Sequence, residues 1–345
     1  MSHSVNPIIL LQMMTHYHNY KDDLKNRSFV FTKNDRLRMH KETDEEADHR
    51  KSYVPKAIRD MAEAELRTLL KGSLKGRLGK VYMDNRDQLR KLAVPLNAGV
   101  GDGGYGVLTT GSRVPIPEGK VIRAFTYWEK VDDIDLSCFA FDLKGNKKEF
   151  SWRSMWHENG SDIVFSGDQT NGYNGGSEYF DIDFELFRKN HPEWRYIVFC
   201  DNVYSDCTFR DCVAKAGFML RDQIQSGEIF EPKTVQTSYI LNADSSFSYL
   251  FAIDLKTREM VWLNLAREGR HAVAGMTDMD FILDKLDITS VFNVYDLIEA
   301  SATEIVSNPV LADVIVSDNQ KRFPDADNVI RSWDTNRFVE LIQPK

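Results

Sequence analysis

The chain has 345 residues, 42% hydrophobic and 28% charged, with a formal net charge of −8; this length suits one main domain with flanking pieces. No stretch approaches the ~18 to 20 apolar residues of a membrane-crossing helix, which argues against an integral membrane protein. The acidic balance disfavours non-specific nucleic-acid binding, which needs clustered Lys and Arg, and it suits a protein that collects cations.

The first predicted element opens at Asn6-Pro7, an N-cap followed by proline at the first helical position, with Ile8, Leu11, Met14 and Tyr17 at helical spacing. Its apolar start is short, is interrupted by Gln12 and lacks the small-residue cleavage site of a secretory signal, so a cytoplasmic location is expected. His16 and His18, two positions apart on this helix, point to different sides and do not form a metal pair. From Lys33 to Arg50 charge dominates, with Glu42, Asp44, Glu45, Glu46 and Asp48 in one run, and the pattern predicts a solvated linker. A second helix begins near Pro55, carries the apolar stripe Ile58, Met61, Leu66, Leu69 and Leu70, and is expected to stop at Gly72. Arg67, Lys71, Lys75, Arg77 and Lys80 read as the solvated face of a helix end.

After the apolar piece Lys80-Val81-Tyr82-Met83, the glycines from Gly99 to Gly106 overlap a dinucleotide-binding pattern. Such glycines act only between a strand and a helix; here Thr109, Gly111, Pro115 and Pro117 follow, so the segment reads as a linker. Beyond it the period changes. Val121–Trp128, Leu136–Phe141, Ile163–Ser166, Tyr179–Phe184, Tyr196–Tyr204, Ala216–Leu220, Thr237–Leu241, Tyr249–Leu255 and Met260–Leu263 are predicted strands separated by turn residues. So many strands without long helices between them predict two packed antiparallel sheets, a mainly β sandwich. The four cysteines, Cys138, Cys200, Cys207 and Cys212, form no Cys-x-x-Cys pair and are expected as buried thiols. The last segment predicts helices over Asp280–Leu286 and Asn293–Ser307, an apolar run Val314-Ile315-Val316 and a final element Phe338–Ile342. The expected layout is therefore a helical N-terminal extension (1–106), a β-sandwich (107–265) and a small α/β C-terminal appendage (266–345).

Two acidic clusters flank strands. In Asp132-Asp133-Ile134-Asp135-Leu136-Ser137, strand alternation puts Asp133 and Asp135 on one side, where two carboxylates repel unless a cation lies between them. The second cluster runs from Ser166 to Glu178, with Asp168, Thr170, Asn171, Asn174 and Glu178 among glycines. Ca²⁺ takes ~6 to 8 hard oxygen ligands at ~2.3 to 2.6 Å, and this loop offers carboxylates, amides, hydroxyls and carbonyls without sulfur or imidazole. An acidic, glycine-rich loop that only makes a turn is the plain alternative.

Asp133-Ile134-Asp135-Leu136-Ser137, then Ser166-Gly167-Asp168-Gln169-Thr170 with a glycine-rich loop ending in Glu178, resembles the two signature motifs of the TerD family, in order and at a suitable separation. Gly111 to Lys120 with the strand to Trp128 is similar to the opening of that domain, and the resemblance covers about half of the chain. It implies a β-sandwich that binds calcium through acidic residues of these loops, in bacterial responses to tellurite, phage, colicins or DNA damage, with protein partners in a stress-response or defence complex. It implies Asp133, Asp135, Asp168 and Glu178 as ligands, with Thr170, Asn171 and Asn174 as further candidates. Typical members carry Gly-Asp-Gly-Asp-Asp-Glu where this chain has Tyr173-Asn174-Gly175-Gly176-Ser177-Glu178, so fewer charges imply weaker affinity or one ion instead of two. Gly227–Val235 and Leu311–Ser317 resemble the tail of longer bacterial proteins that end in a TerD-like domain.

Two other functions stand beside this one. Asp133, Asp135 and Asp168 suit a metal that activates water for phosphodiester cleavage, though no Ser-His-Asp set, activated cysteine, Walker motif or His-Glu metal motif accompanies them, and catalysis is not expected. Trp152, Trp156 and His157 with Glu158 and Asn159 suit a calcium-dependent, lectin-like sugar-binding sandwich.

Overall fold

The computed structural model describes residues 6–18, 28–33, 36–41, 43, 45–46, 54–95, 108–143, 146–155, 162–205, 207–241, 244–267 and 279–344. The glycine-rich stretch 99–106, most of the acidic run 42–50, and Trp156 and His157 lie outside them. In chain order the strands are β1 (Ser28–Lys33), β2 (Arg36–Lys41), β3 (Lys80–Met83), β4 (Arg113–Pro115), β5 (Val121–Glu129), β6 (Ile134–Phe141), β7 (Lys147–Phe150), β8 (Ile163–Phe165) and β9 (Gly176–Asp183). They continue as β10 (Tyr196–Val203), β11 (Val213–Arg221), β12 (Val235–Leu241), β13 (Phe247–Asp254), β14 (Glu259–Arg267), β15 (Glu304–Ile305), β16 (Val314–Val316) and β17 (Val329–Ile330). The described residues are mainly β, and no helix among them is long and apolar enough to cross a membrane.

Two compact units divide the chain, one of residues 101–107 and 114–277, the other of residues 1–100, 108–113 and 278–345. In the central unit the antiparallel sheets run β4-β14-β13-β10-β6-β7 and β12-β11-β5-β9-β8. Strands β6, β10 and β13 are buried along their whole length, as expected of near-continuous apolar runs such as Tyr196-Ile197-Val198-Phe199-Cys200. Phe180 of β9 meets Phe199 of β10 at 6.2 Å between ring centroids, Phe165 stacks on Phe180 at 4.9 Å, and Phe251 stacks on Phe199 at 5.0 Å. Each such ring contributes roughly 2 to 3 kcal/mol by leaving water. All nine predicted strands are present; β4, β7 and the helix Phe184–Asn190 are added.

The terminal unit corrects the expected layout. β3, from the N-terminal part, pairs in parallel with β15 and β16 from the C-terminal part, and β17 extends the sheet beyond β16. The helical extension and the α/β appendage are therefore one body, because two short apolar runs about 230 residues apart, 80–83 and 314–316, pair in the same sheet. Leu66, Leu70 and Leu74 of the helix Lys56–Leu74 share a core with Val81, Leu297, Val316, Ile330 and Phe338. Asn6 caps the first helix by accepting from the Ile8 amide at 2.9 Å.

Local expectations change as well. Residues 36–41 of the expected charged linker form β2, paired with β1, since a backbone ladder needs no apolar side chains. The second helix runs through Gly72 to Leu74; a glycine costs about 1 kcal/mol in a helix interior and does not end a helix that tertiary packing holds. The helix capped by Asn293 ends at Ser301, six residues early, because Glu304 and Ile305 join β3 as a strand. Arg67 and Arg77 are half-buried rather than fully solvated: Arg67 donates to the Val291 carbonyl, and Arg77 Nη1 donates to the carbonyls of Leu341 and Gln343, both at 2.6 Å. Cys138 and Cys200 are buried, whereas Cys207 and Cys212 are half-buried, and all four are free thiols.

Candidate functional site

The site lies where the turn before β6 meets the loop between β8 and β9. Asp133 immediately precedes β6, Asp135 is its second residue, and Asp168 follows β8 by three positions. One carboxylate oxygen from each of Asp133, Asp135 and Asp168 lies within 4.8 Å of the other two. Asp135 is buried and takes a hydrogen bond from Asn202 Nδ2 of the neighbouring β10 at 3.2 Å. The Oδ1 atoms of Asp133 and Asp168 are buried without a hydrogen-bond partner among the described residues. A buried carboxylate oxygen with no donor carries a desolvation cost that a cation would offset.

Local sequence explains why the loop closes here. Gly172 donates its amide to the Asp132 carbonyl at 2.7 Å, Lys130 donates to the Tyr173 carbonyl at 2.8 Å, and Tyr204 donates to the Asp133 carbonyl at 3.2 Å. The loop lies on Trp128: a Cβ at Gly172 would sit 2.3 Å from the indole nitrogen, and one at Gly176 2.4 Å from a ring carbon, so only glycine allows this approach. Glu178, on β9, is fully buried; its Oε2 accepts from the Leu136 amide at 2.8 Å and its Oε1 from the Gln169 amide at 2.9 Å.

Electrostatics follows from burial and crowding. Burial, with the charges of Asp135, Asp168 and Asp132, pushes Asp133 up to about 7. Asp135 rises to about 6 through burial and the charge of Asp168, against the lowering effect of Asn202. Glu178 is pushed well above the usual carboxylate range, first by burial, with its two amide donors pulling the other way. Asp201, fully buried and accepting from Thr126 Oγ1 at 2.9 Å on both oxygens, is raised in the same manner.

Of the residues singled out in the sequence, the structure brings Asp133, Asp135 and Asp168 together. Glu178 stands beside them with both oxygens on amides, while Thr170, Asn171 and Asn174 are exposed on the loop. Sequence reasoning missed Asn202 and Asp201. Their signal was a polar pair inside the apolar strand Tyr196–Val203, where a buried carboxyl needs a partner. The set is oxygen-only, which suits a hard divalent cation. Compared with models of known protein families and with curated proteins, the chain shows no match.

Proposed function

We propose that this chain is a calcium-binding interaction module of the TerD kind, a β-sandwich whose loops an ion organises for a protein partner in a stress or defence response. The observation that carries the ion is the convergence of Asp133, Asp135 and Asp168, two of them with buried oxygens that have no hydrogen-bond partner among the described residues. Three carboxylates and no sulfur or imidazole favour Ca²⁺ over zinc or copper, and the loop's carbonyls and amides supply the further oxygens that Ca²⁺ requires. Tyr173 and Tyr204, exposed at 56% and 72%, leave the same two backbone junctions that flank the cluster. With Thr170, Asn171 and Asn174 they form the surface that a neutralised, ordered loop presents to a partner.

The test is thermal melting of metal-stripped protein with Ca²⁺, Mg²⁺ or chelator. Binding to the native state adds ~2.7 kcal/mol when free ligand is at 100 times its dissociation constant, which moves a melting temperature by several degrees. Ca²⁺ is expected to stabilise and Mg²⁺ to do less, because Mg²⁺ demands a strict octahedral shell and keeps its waters. Equal melting temperatures under all three conditions would sink the proposal.

A further inference from the structure

Glu178 belongs to one sheet and the start of β6 to the other. β7 covers β6 only from Cys138 to Phe141, so the Leu136 amide lies beyond its end. Glu178 Oε2 takes that amide at 2.8 Å. Its other oxygen takes the amide of Gln169, next to Asp168, at 2.9 Å. One fully buried carboxylate thus links the residue after Asp135 to the residue after Asp168, across two sheets. Gln169 extends the link, since its own Oε1 accepts from the Ser177 amide at 2.9 Å. Glu178 does not join the group whose oxygens lie within 4.8 Å of one another.

We infer, on the reading of the three-carboxylate cluster as an ion site, that Glu178 is a positioning residue and not an ion ligand. It sets the spacing of Asp135 and Asp168 through the two backbone amides it holds. A glutamine at this position keeps the shape, but it turns an NH₂ donor towards one of two N–H donors. One of the two links must then break.

The experiment compares wild type with Glu178→Gln, using Ca²⁺ titration calorimetry and Tb³⁺ luminescence lifetimes in H₂O and D₂O, which count metal-bound waters. The expected result is Ca²⁺ affinity at least tenfold weaker with an unchanged number of metal-bound waters. A ligand lost from the ion would add a water, and an added water, or equal affinity, overturns the positioning role while leaving the ion site standing. A wild-type chain that binds neither ion ends the calcium reading and this role with it. Amide exchange in metal-free wild type gives a readout that needs no variant. The Gln169 amide, held by Glu178, is expected to exchange slowly in chelator; fast exchange there overturns the role even where Glu178→Gln fails to fold.

Discussion

Asp133 and Asp135 carry the pH behaviour of the site. Their ordinary value is 3.8, and the fold raises them to about 7 and about 6. A carboxyl raised on folding binds more protons in the native state, so its contribution is fully present below the unfolded value and is lost as pH rises through the folded one. The metal-free protein is therefore expected to lose melting temperature between pH ~4 and ~7 from these two groups, and Asp133→Asn to make that slope shallower. Identical slopes for wild type and variant would refute the assignment. Ca²⁺ is expected to restore stability at pH 7.5 and to do little at pH 5, where protons compete for the same oxygens. Asp135→Asn and Asp168→Asn each remove a repelling charge, so each should weaken the calcium response while raising or barely changing the apo melting temperature. A calcium response that survives both changes would place the ion elsewhere. At this scale the sequence was readable where side-chain alternation applies: Asp133 and Asp135 share a side. It was not readable at Asn202, whose partner is fixed by the register of β10 on β6.

Among the elements, the loop between β8 and β9 owes its path to Trp128. Gly176→Ala is expected to cost about 1 to 3 kcal/mol, the usual penalty for overpacking a close-packed contact. Trp128→Phe in the same chain should return part of it, because a Cβ would meet the indole Nε1, Cε2 and Cζ2, an edge that the smaller phenyl ring does not fill. Denaturant melts of the single and double variants decide this, and additive losses would remove Trp128 from the explanation. On the same sheet Arg123 and Asp181 form a fully buried, two-pronged ion pair at 2.6 and 2.7 Å. Arg123 also donates to the carbonyls of Ser226 and Glu228, and Asp181 accepts from the Gln225 amide. Removing one partner of such a pair strands a buried charge at a cost of about 3 to 5 kcal/mol. Asp181→Ala should therefore open residues 222–231 to protease before the rest of the central unit, and uniform cleavage would argue against the ion pair holding that segment. Strand positions were legible because each carries its own apolar run; the early end of the helix at Ser301 was not, because the pairing that decides it lies at Lys80 and Val81.

Across the whole chain, the shared sheet makes distant segments depend on one another. Val316 is fully buried in the core that contains Leu66, Leu70 and Leu74. Val316→Asp buries an unpaired carboxylate there. Amide protection of the helix Lys56–Leu74 is expected to be lost with it, and protection that persists in the variant would contradict a common core. Hydrophobic periodicity identified most members of this unit without identifying the unit. Parallel pairing between 80–83 and 314–316 leaves no local mark, since neither run is longer than four residues and no turn joins them.

The pairing of β3 with β15 and β16 also sets a schedule. About 220 residues separate Met83 from Glu304, which at ~5 to 20 residues per second is roughly 10 to 45 s of synthesis. The central unit, with all its strands contiguous between them, emerges entire during that wait. β3 is thus made well before the strands it pairs with, and until they follow it lacks its sheet partners, while the helix Lys56–Leu74 has the helix Pro7–His18 against it but not the C-terminal part of its core.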